Sequence, residues 1–162
     1  MTHLAAAALI GATLTLTPSV SASEVLWQNG TEQVIPASVT NFQGLINQVR
    51  AQQGVRAISP HPLLTRTAQA HADDMRRQGY FSHTGLNGSK VRDRSVAQGY
   101  VGCFWAENIA YGNLSEAVVF QRWMDSRGHR RNMLHRRAVH YGLAKAGSGQ
   151  DTFWVLVFGA PC

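Results

Sequence analysis

Three short segments of the chain place ionisable side chains among glycines and small residues: Phe81-Ser82-His83-Thr84-Gly85, Ala106-Glu107-Asn108-Ile109 and Gly128-His129-Arg130-Arg131-Asn132. Function concentrates at such element ends, where a rigid scaffold presents a loop side chain. Two imidazoles and a carboxylate are groups that hold a divalent cation, move a proton or bind a polar ligand. Glu107 is the most informative of the three. A carboxylate inside an otherwise apolar stretch needs a hydrogen-bonding or cationic partner, which two nearby imidazoles would supply. If His83, Glu107 and His129 converge, they suit Zn²⁺ or another divalent cation, with the two histidines as metal ligands, Glu107 as ligand or base, and an open water position.

Other chemistries fail on spacing. The chain has no HExxH, GxSxG, Walker loop or GxGxxG. His129 and His135 are six residues apart, which puts them on different faces of a helix rather than one above the other. Ser82 adjoins His83 in sequence and Ser126 has no evident acid partner, so neither reads as a nucleophile. From Arg122 to Arg137 six arginines stand with His129 and His135. No nucleic-acid motif accompanies them, so nucleic acid is set aside in favour of a solvated cationic face for an anionic polymer.

The elements that must position these groups follow from hydrophobic period. Between Ser38 and Gln53, Val39, Phe42, Leu45, Ile46 and Val49 share one helix face, with Ser38 or Thr40 as N-cap and Gly54 as stop. The stretch Leu63 to Gln78 repeats the pattern with Leu64, Ala68, His71, Ala72 and Met75, ended by Gly79. Tyr80 to Gly88 reads as loop and Ser89 to Gln98 as a short helix closed by Gly99. Ala106 to Tyr111 reads as a strand, and Ser115 opens a helix running to Arg127-Gly128. Val139 to Ala146 and Thr152 to Gly159 read as an antiparallel hairpin across Gly147-Ser148-Gly149, which gives an α+β arrangement.

Length and composition set the outer limits. At 162 residues, 44% hydrophobic and 15% charged, the chain suits one ordinary domain and rules out two large ones or wholesale disorder. Thirteen arginines and two lysines against nine acids give a formal charge of +6, all of it beyond Ala22. Residues 1–22 are uncharged, with an apolar run from Leu4 to Leu16 and small residues Val20-Ser21-Ala22, and read as a secretory signal peptide too short for a membrane span. Residues 23–37 read as an extended leader and 38–162 as the domain. Cys103 and Cys162 are the only cysteines; in an exported chain they pair as one disulfide closing a loop of about 60 residues.

Taken in order, these segments resemble the CAP superfamily, or SCP domain, of cysteine-rich secretory, antigen-five and pathogenesis-related proteins, in its bacterial single-domain form. The resemblance runs from the Leu64-to-Met75 helix through Phe81-Ser82-His83, the stretch from Gly88 through Arg94 to Gly99-Tyr100, Glu107-Asn108-Ile109-Ala110-Tyr111-Gly112 and Trp123-Met124-Asp125-Ser126-Arg127-Gly128-His129-Arg130. It continues through Asn132-Met133-Leu134 and Tyr141-Gly142 to Trp154-Val155-Leu156-Val157-Phe158-Gly159. It implies a three-layer α-β-α sandwich with a central antiparallel sheet, and a cleft lined by two histidines and two acids, onto which His83, Glu107 and His129 map. The second acid falls on Ser126. Asp125, one residue earlier and about 100° round the helix, would replace it only on a rotated helix. The resemblance further implies a secreted protein, extracellular or periplasmic, that binds a lipid, an anionic glycan or another envelope component without catalysis. The alternative is a metal-assisted, peptidase-like hydrolase acting through His83, His129 and Glu107.

Overall fold

The computed structural model describes residues 24–28, 31–35 and 41–162. The segment read as a signal peptide, residues 1–22, and the N-cap candidates Ser38 and Thr40 lie outside them. Within the stretch read as a leader, β1 (Glu24–Gln28) and β2 (Thr31–Ile35) pair antiparallel, with Gln28 opposite Thr31.

Helix α1 (Phe42–Gln52) begins at Asn41, whose side chain accepts from the Gly44 amide at 2.9 Å. A two-residue strand β3 (Ser59–Pro60) leads into α2 (Pro62–Gln78), which has proline in its first turn and ends on Gly79 at φ 66°. Next come α3 (Val91–Ala97), β4 (Phe104–Tyr111), α4 (Glu116–Asp125), α5 (Arg127–Met133), β5 (His140–Ala146) and β6 (Phe153–Ala160). The helix expected to run on from Ser115 to Gly128 stops at Asp125. Ser126 takes an extended ψ of 119°, which breaks the hydrogen-bond ladder and starts a separate helix.

The sheet has the order β3-β5-β6-β4. Both long pairings, β4 with β6 and β5 with β6, are antiparallel, and β3 adds a two-residue parallel edge on β5. Central strand β6 reads Phe-Trp-Val-Leu-Val-Phe-Gly-Ala and is buried at all eight positions, because helices cover both faces. Trp154, Leu156 and Phe158 pack with Phe42, Ile46, Phe120, Trp123 and Met133 from α1, α4 and α5. Phe153, Val155 and Val157 pack with Leu64, Ala68, Ala72 and Met75 of α2. The period-2 alternation of one strand thus feeds two cores and makes three layers. Each fully buried large side chain contributes about 2 kcal/mol.

Two further constraints hold these elements together. Arg50, wholly buried at the end of α1, donates to the carbonyls of Arg56 (2.8 Å), Met133 (2.7 Å) and His135 (3.3 Å). It therefore ties α1 to the exit of α5. The Cys103–Cys162 disulfide joins the start of β4 to the chain end after β6 across a separation of 59 residues, worth about 4 kcal/mol on the chain-entropy model. Among the described residues no helix is long and apolar enough to cross a membrane.

Helix α2 lies so close to β5 that a Cβ on Gly142 would collide with the backbone of Leu64 and Thr65. Backbone cannot step aside as a side-chain tip can. Gly142→Ala is therefore expected to destabilise the chain by about 3 kcal/mol, while Gly128→Ala, with open space around it, leaves stability unchanged or raises it by a few tenths. Urea denaturation of the two variants checks this, and equal midpoints would contradict the close approach.

Candidate functional site

Among the described residues strand β4 is an edge of the sheet, paired only with β6. Its side chains alternate, so Glu107 lies on the α2/α3 side with Trp105 and Ile109, while Ala106, Asn108 and Ala110 face α4 and α5. Glu107 is 7% exposed. A carboxylate so placed is strongly disfavoured unless compensated, and two partners compensate it. Arg94 of α3 reaches Oε2 through Nη2 at 2.7 Å, and His83 donates from Nδ1 to Oε1 at 2.8 Å. In the neutral His83 ring the lone pair is then on Nε2, and that side chain is 54% exposed.

The loop that presents His83 is braced from both sides. His71 of α2 donates from Nε2 to the Ser82 carbonyl at 2.9 Å, and Arg94 Nη2 donates to the His83 carbonyl at 3.1 Å. The same His71 Nε2 lies 3.9 Å from Glu107 Oε1. Arg94 thus holds both the carboxylate and the backbone of the imidazole that the carboxylate orients.

His129 comes from the opposite layer, on α5. Asn108 Nδ2 donates to its carbonyl at 3.2 Å, and Asn132 Nδ2 donates to Asn108 Oδ1 at 2.9 Å and to the Glu107 carbonyl at 3.2 Å. These amides cover the edge of β4 and bring α5 against it. Burial holds the His129 imidazole below its ordinary range, and the charge of nearby His83 lowers it further. His83 and Glu107 are therefore in direct contact, and the charge of His83 reaches His129. Asp125 and Ser126 do not join them. The Asp125 carboxylate is exposed and accepts from Gln121 at 2.8 Å, and Ser126 sits at the break between α4 and α5 with no capping bond.

Glu107 does not fit as a ligand to a divalent ion in this arrangement. Among the described residues no three His, Cys, Asp or Glu side chains form a group that could hold one. Both Glu107 oxygens are engaged, and a cation at Oε2 would meet the Arg94 guanidinium. Beside His129, Arg127, Arg130, Arg131 and Leu134 line an open cavity of about 450 Å³. Sequence reasoning marks neither His71 nor Arg94 as a site residue. A histidine on the apolar face of an amphipathic helix is the available signal for His71; nothing local marks Arg94.

The model of the CAP family, described as the cysteine-rich secretory protein family, matches residues 43–158. The chain is 30% identical over 127 residues to the Bacillus subtilis protein YkwD, covering 76% of this chain and 49% of that one. It therefore spans about half the length of that relative. Among solved structures it resembles an extracellular protein containing a SCP domain from Bacillus anthracis, with TM-score 0.66 and 24% identity over 73% of this chain and 38% of that one. It also resembles an outer surface protein of Borrelia burgdorferi, with TM-score 0.68 and 17% identity over 74% of this chain and 90% of that one.

Burial is the largest influence on His71 as well, holding its imidazole below the ordinary range against the opposing pull of Glu107. Unfolded, His71 titrates near ~6.5. Below that pH the unfolded chain binds a proton that the folded chain resists, so stability is lost as pH falls. His71→Gln keeps an N–H donor for the Ser82 carbonyl and does not titrate. Urea denaturation from about pH 7.5 to about pH 5 is expected to show a pH slope shallower than that of the unaltered chain by up to about 1.4 kcal/mol per pH unit. An unchanged slope would contradict the buried neutral imidazole.

Proposed function

The chain belongs to the CAP family of cysteine-rich secretory proteins, and we propose that it is an exported, non-catalytic binding module that holds an anionic glycan of the cell envelope. In this reading residues 1–22 are removed on export, 23–37 form a leader and 38–162 are the working domain. His83, Glu107 and His129 form one wall of the binding surface and the arginines of α5 the other.

The observation that carries the reading is the state of Glu107. Both oxygens of this carboxylate are taken up by the protein, Oε2 by Arg94 and Oε1 by His83, so its charge is compensated within the chain. The residue organises its neighbours, and what faces outward is an imidazole and a field of guanidinium groups. Residues 122–137 hold six arginines against the single acid Asp125. Arginine suits carboxylate and phosphate because its planar fork makes two parallel hydrogen bonds to either. The cavity lined by Arg127, Arg130 and Arg131 has room for such a group.

The full chain is expected to bind immobilised polygalacturonate, to ignore dextran, and to release as salt rises. Replacing both Arg127 and Arg131 by Ser is expected to weaken binding by about tenfold or more. Equal binding to dextran, preference for uncharged lipid vesicles, or chelator-sensitive hydrolysis of the polymer would each overturn the proposal.

A further inference from the structure

Helix α5 and the residue that ends it put four side chains around one space. Arg127, Arg130, Arg131 and Leu134 stand at i, i+3, i+4 and i+7, a single helical face, and with Gly128 they line the cavity of about 450 Å³. Nothing lies within 4 Å of where a Gly128 Cβ would stand, so the space beside Arg127 is open.

This row of guanidinium groups is unfavourable for the chain by itself. Like charges three and four positions apart on a helix repel, and none of the ion pairs among the described residues includes Arg127 or Arg131. Asp125, the nearest acid in sequence, accepts from Gln121 instead. His135 feels the same positive field: burial first, then the charges of Arg137, Arg50 and Arg131, hold its imidazole below the ordinary range. A repulsion that the chain does not relieve internally is relieved by a bound anion.

The number and arrangement of donors select the kind of anion. A carboxylate offers two oxygens in one plane, which a single guanidinium fork takes up. Three forks around one space match the three terminal oxygens of a phosphate monoester, which accept from different directions and carry about two negative charges near neutral pH. Leu134 adds a contact that a bare ion does not use. It lies one turn past Arg130 and Arg131 and about 10 Å along the helix from Arg127, at 1.5 Å per residue. That is the length of a hexose bearing a phosphate, whose ring carbons present an apolar face to a leucine.

We propose that the α5 cavity takes a phosphate monoester carried on a sugar, with the terminal oxygens accepting from Arg127, Arg130 and Arg131 and the ring lying toward Leu134. The proposal rests on the reading of this surface as a glycan site and narrows it: phosphate is the preferred anion, and carboxylate polymers are weaker ligands.

Glucose 6-phosphate is titrated into the full chain by calorimetry beside four controls: glucarate, which carries two carboxylates on the same carbon chain, inorganic phosphate, glucose, and phosphatidylcholine vesicles containing phosphatidic acid. Glucose 6-phosphate is expected to bind about tenfold or more tighter than glucarate, inorganic phosphate or the vesicles, and glucose not to bind. Replacing Arg127 and Arg131, both exposed, by Lys keeps the charge and removes the forks. The double variant is expected to melt as the unaltered chain does and to lose the preference for glucose 6-phosphate over glucarate. Equal affinity for glucarate or inorganic phosphate, tighter binding to the vesicles, or a preference that survives in the double variant would overturn the proposal. Polygalacturonate binding separates the two failures: if it persists, only the phosphate preference falls, and if it is absent, the glycan reading falls as well.

Discussion

A single buried carboxylate organises the site. Glu107 stands on the edge strand of the sheet at 7% exposure, and an unpartnered charge at that depth would destabilise the fold by several kcal/mol. Arg94 and His83 remove that penalty, and in doing so they fix two pieces of chain that have little else in common. Helix α3 is only seven residues long, yet its guanidinium pins it to β4. The 81–90 loop has no regular structure, yet a carboxylate, a guanidinium and the His71 imidazole hold its backbone and its histidine in place.

The edge position of β4 explains why the cleft draws on both helical layers. One face of the strand looks toward α2 and α3, the other toward α4 and α5, and the unpaired side of β4 is where the two layers meet. His83 arrives from one side and His129 from the other. Asn132 donates to the Glu107 carbonyl on the edge itself, satisfying a backbone group that would otherwise invite another strand, while Asn108 reaches from the strand to the His129 carbonyl of α5. Arg50 then anchors the far end of α5 from within the core. A rigid sheet, two packed layers and a few side-chain-to-carbonyl bonds are enough to bring His83 onto Glu107, 24 positions away, and to hold α5 against the same strand.

Much of this is legible in the residues, and the failures have physical causes. Hydrophobic period and glycine stops place α1, α2 and β4 to β6 within a few residues, because each buries a continuous apolar stripe. Helix α5 escapes such a reading: Arg-Gly-His-Arg-Arg-Asn-Met buries only Met133 and is held by side-chain bonds to its neighbours rather than by an apolar face. Strand β3 is too short to show a period. His83, Glu107 and His129 stand out by residue type, and CAP membership agrees with the motifs that carry the resemblance. Arg94 does not stand out, since an arginine on a short polar helix looks like any solvated charge until the carboxylate opposite is known. A sequence likewise displays Glu107 as a ligand type without showing that a guanidinium already stands at its Oε2.

The central claim, that the Glu107 charge is compensated by Arg94 across the α3–β4 contact, is open to a double-mutant cycle with Glu107→Gln and Arg94→Gln, measured by urea denaturation at neutral pH. The account predicts a coupling energy of about 2 to 3 kcal/mol, with Arg94→Gln alone costing more than the double replacement because it leaves the carboxylate buried and unpaired. A coupling energy within about 0.5 kcal/mol of zero, with the two single effects simply adding, would contradict it.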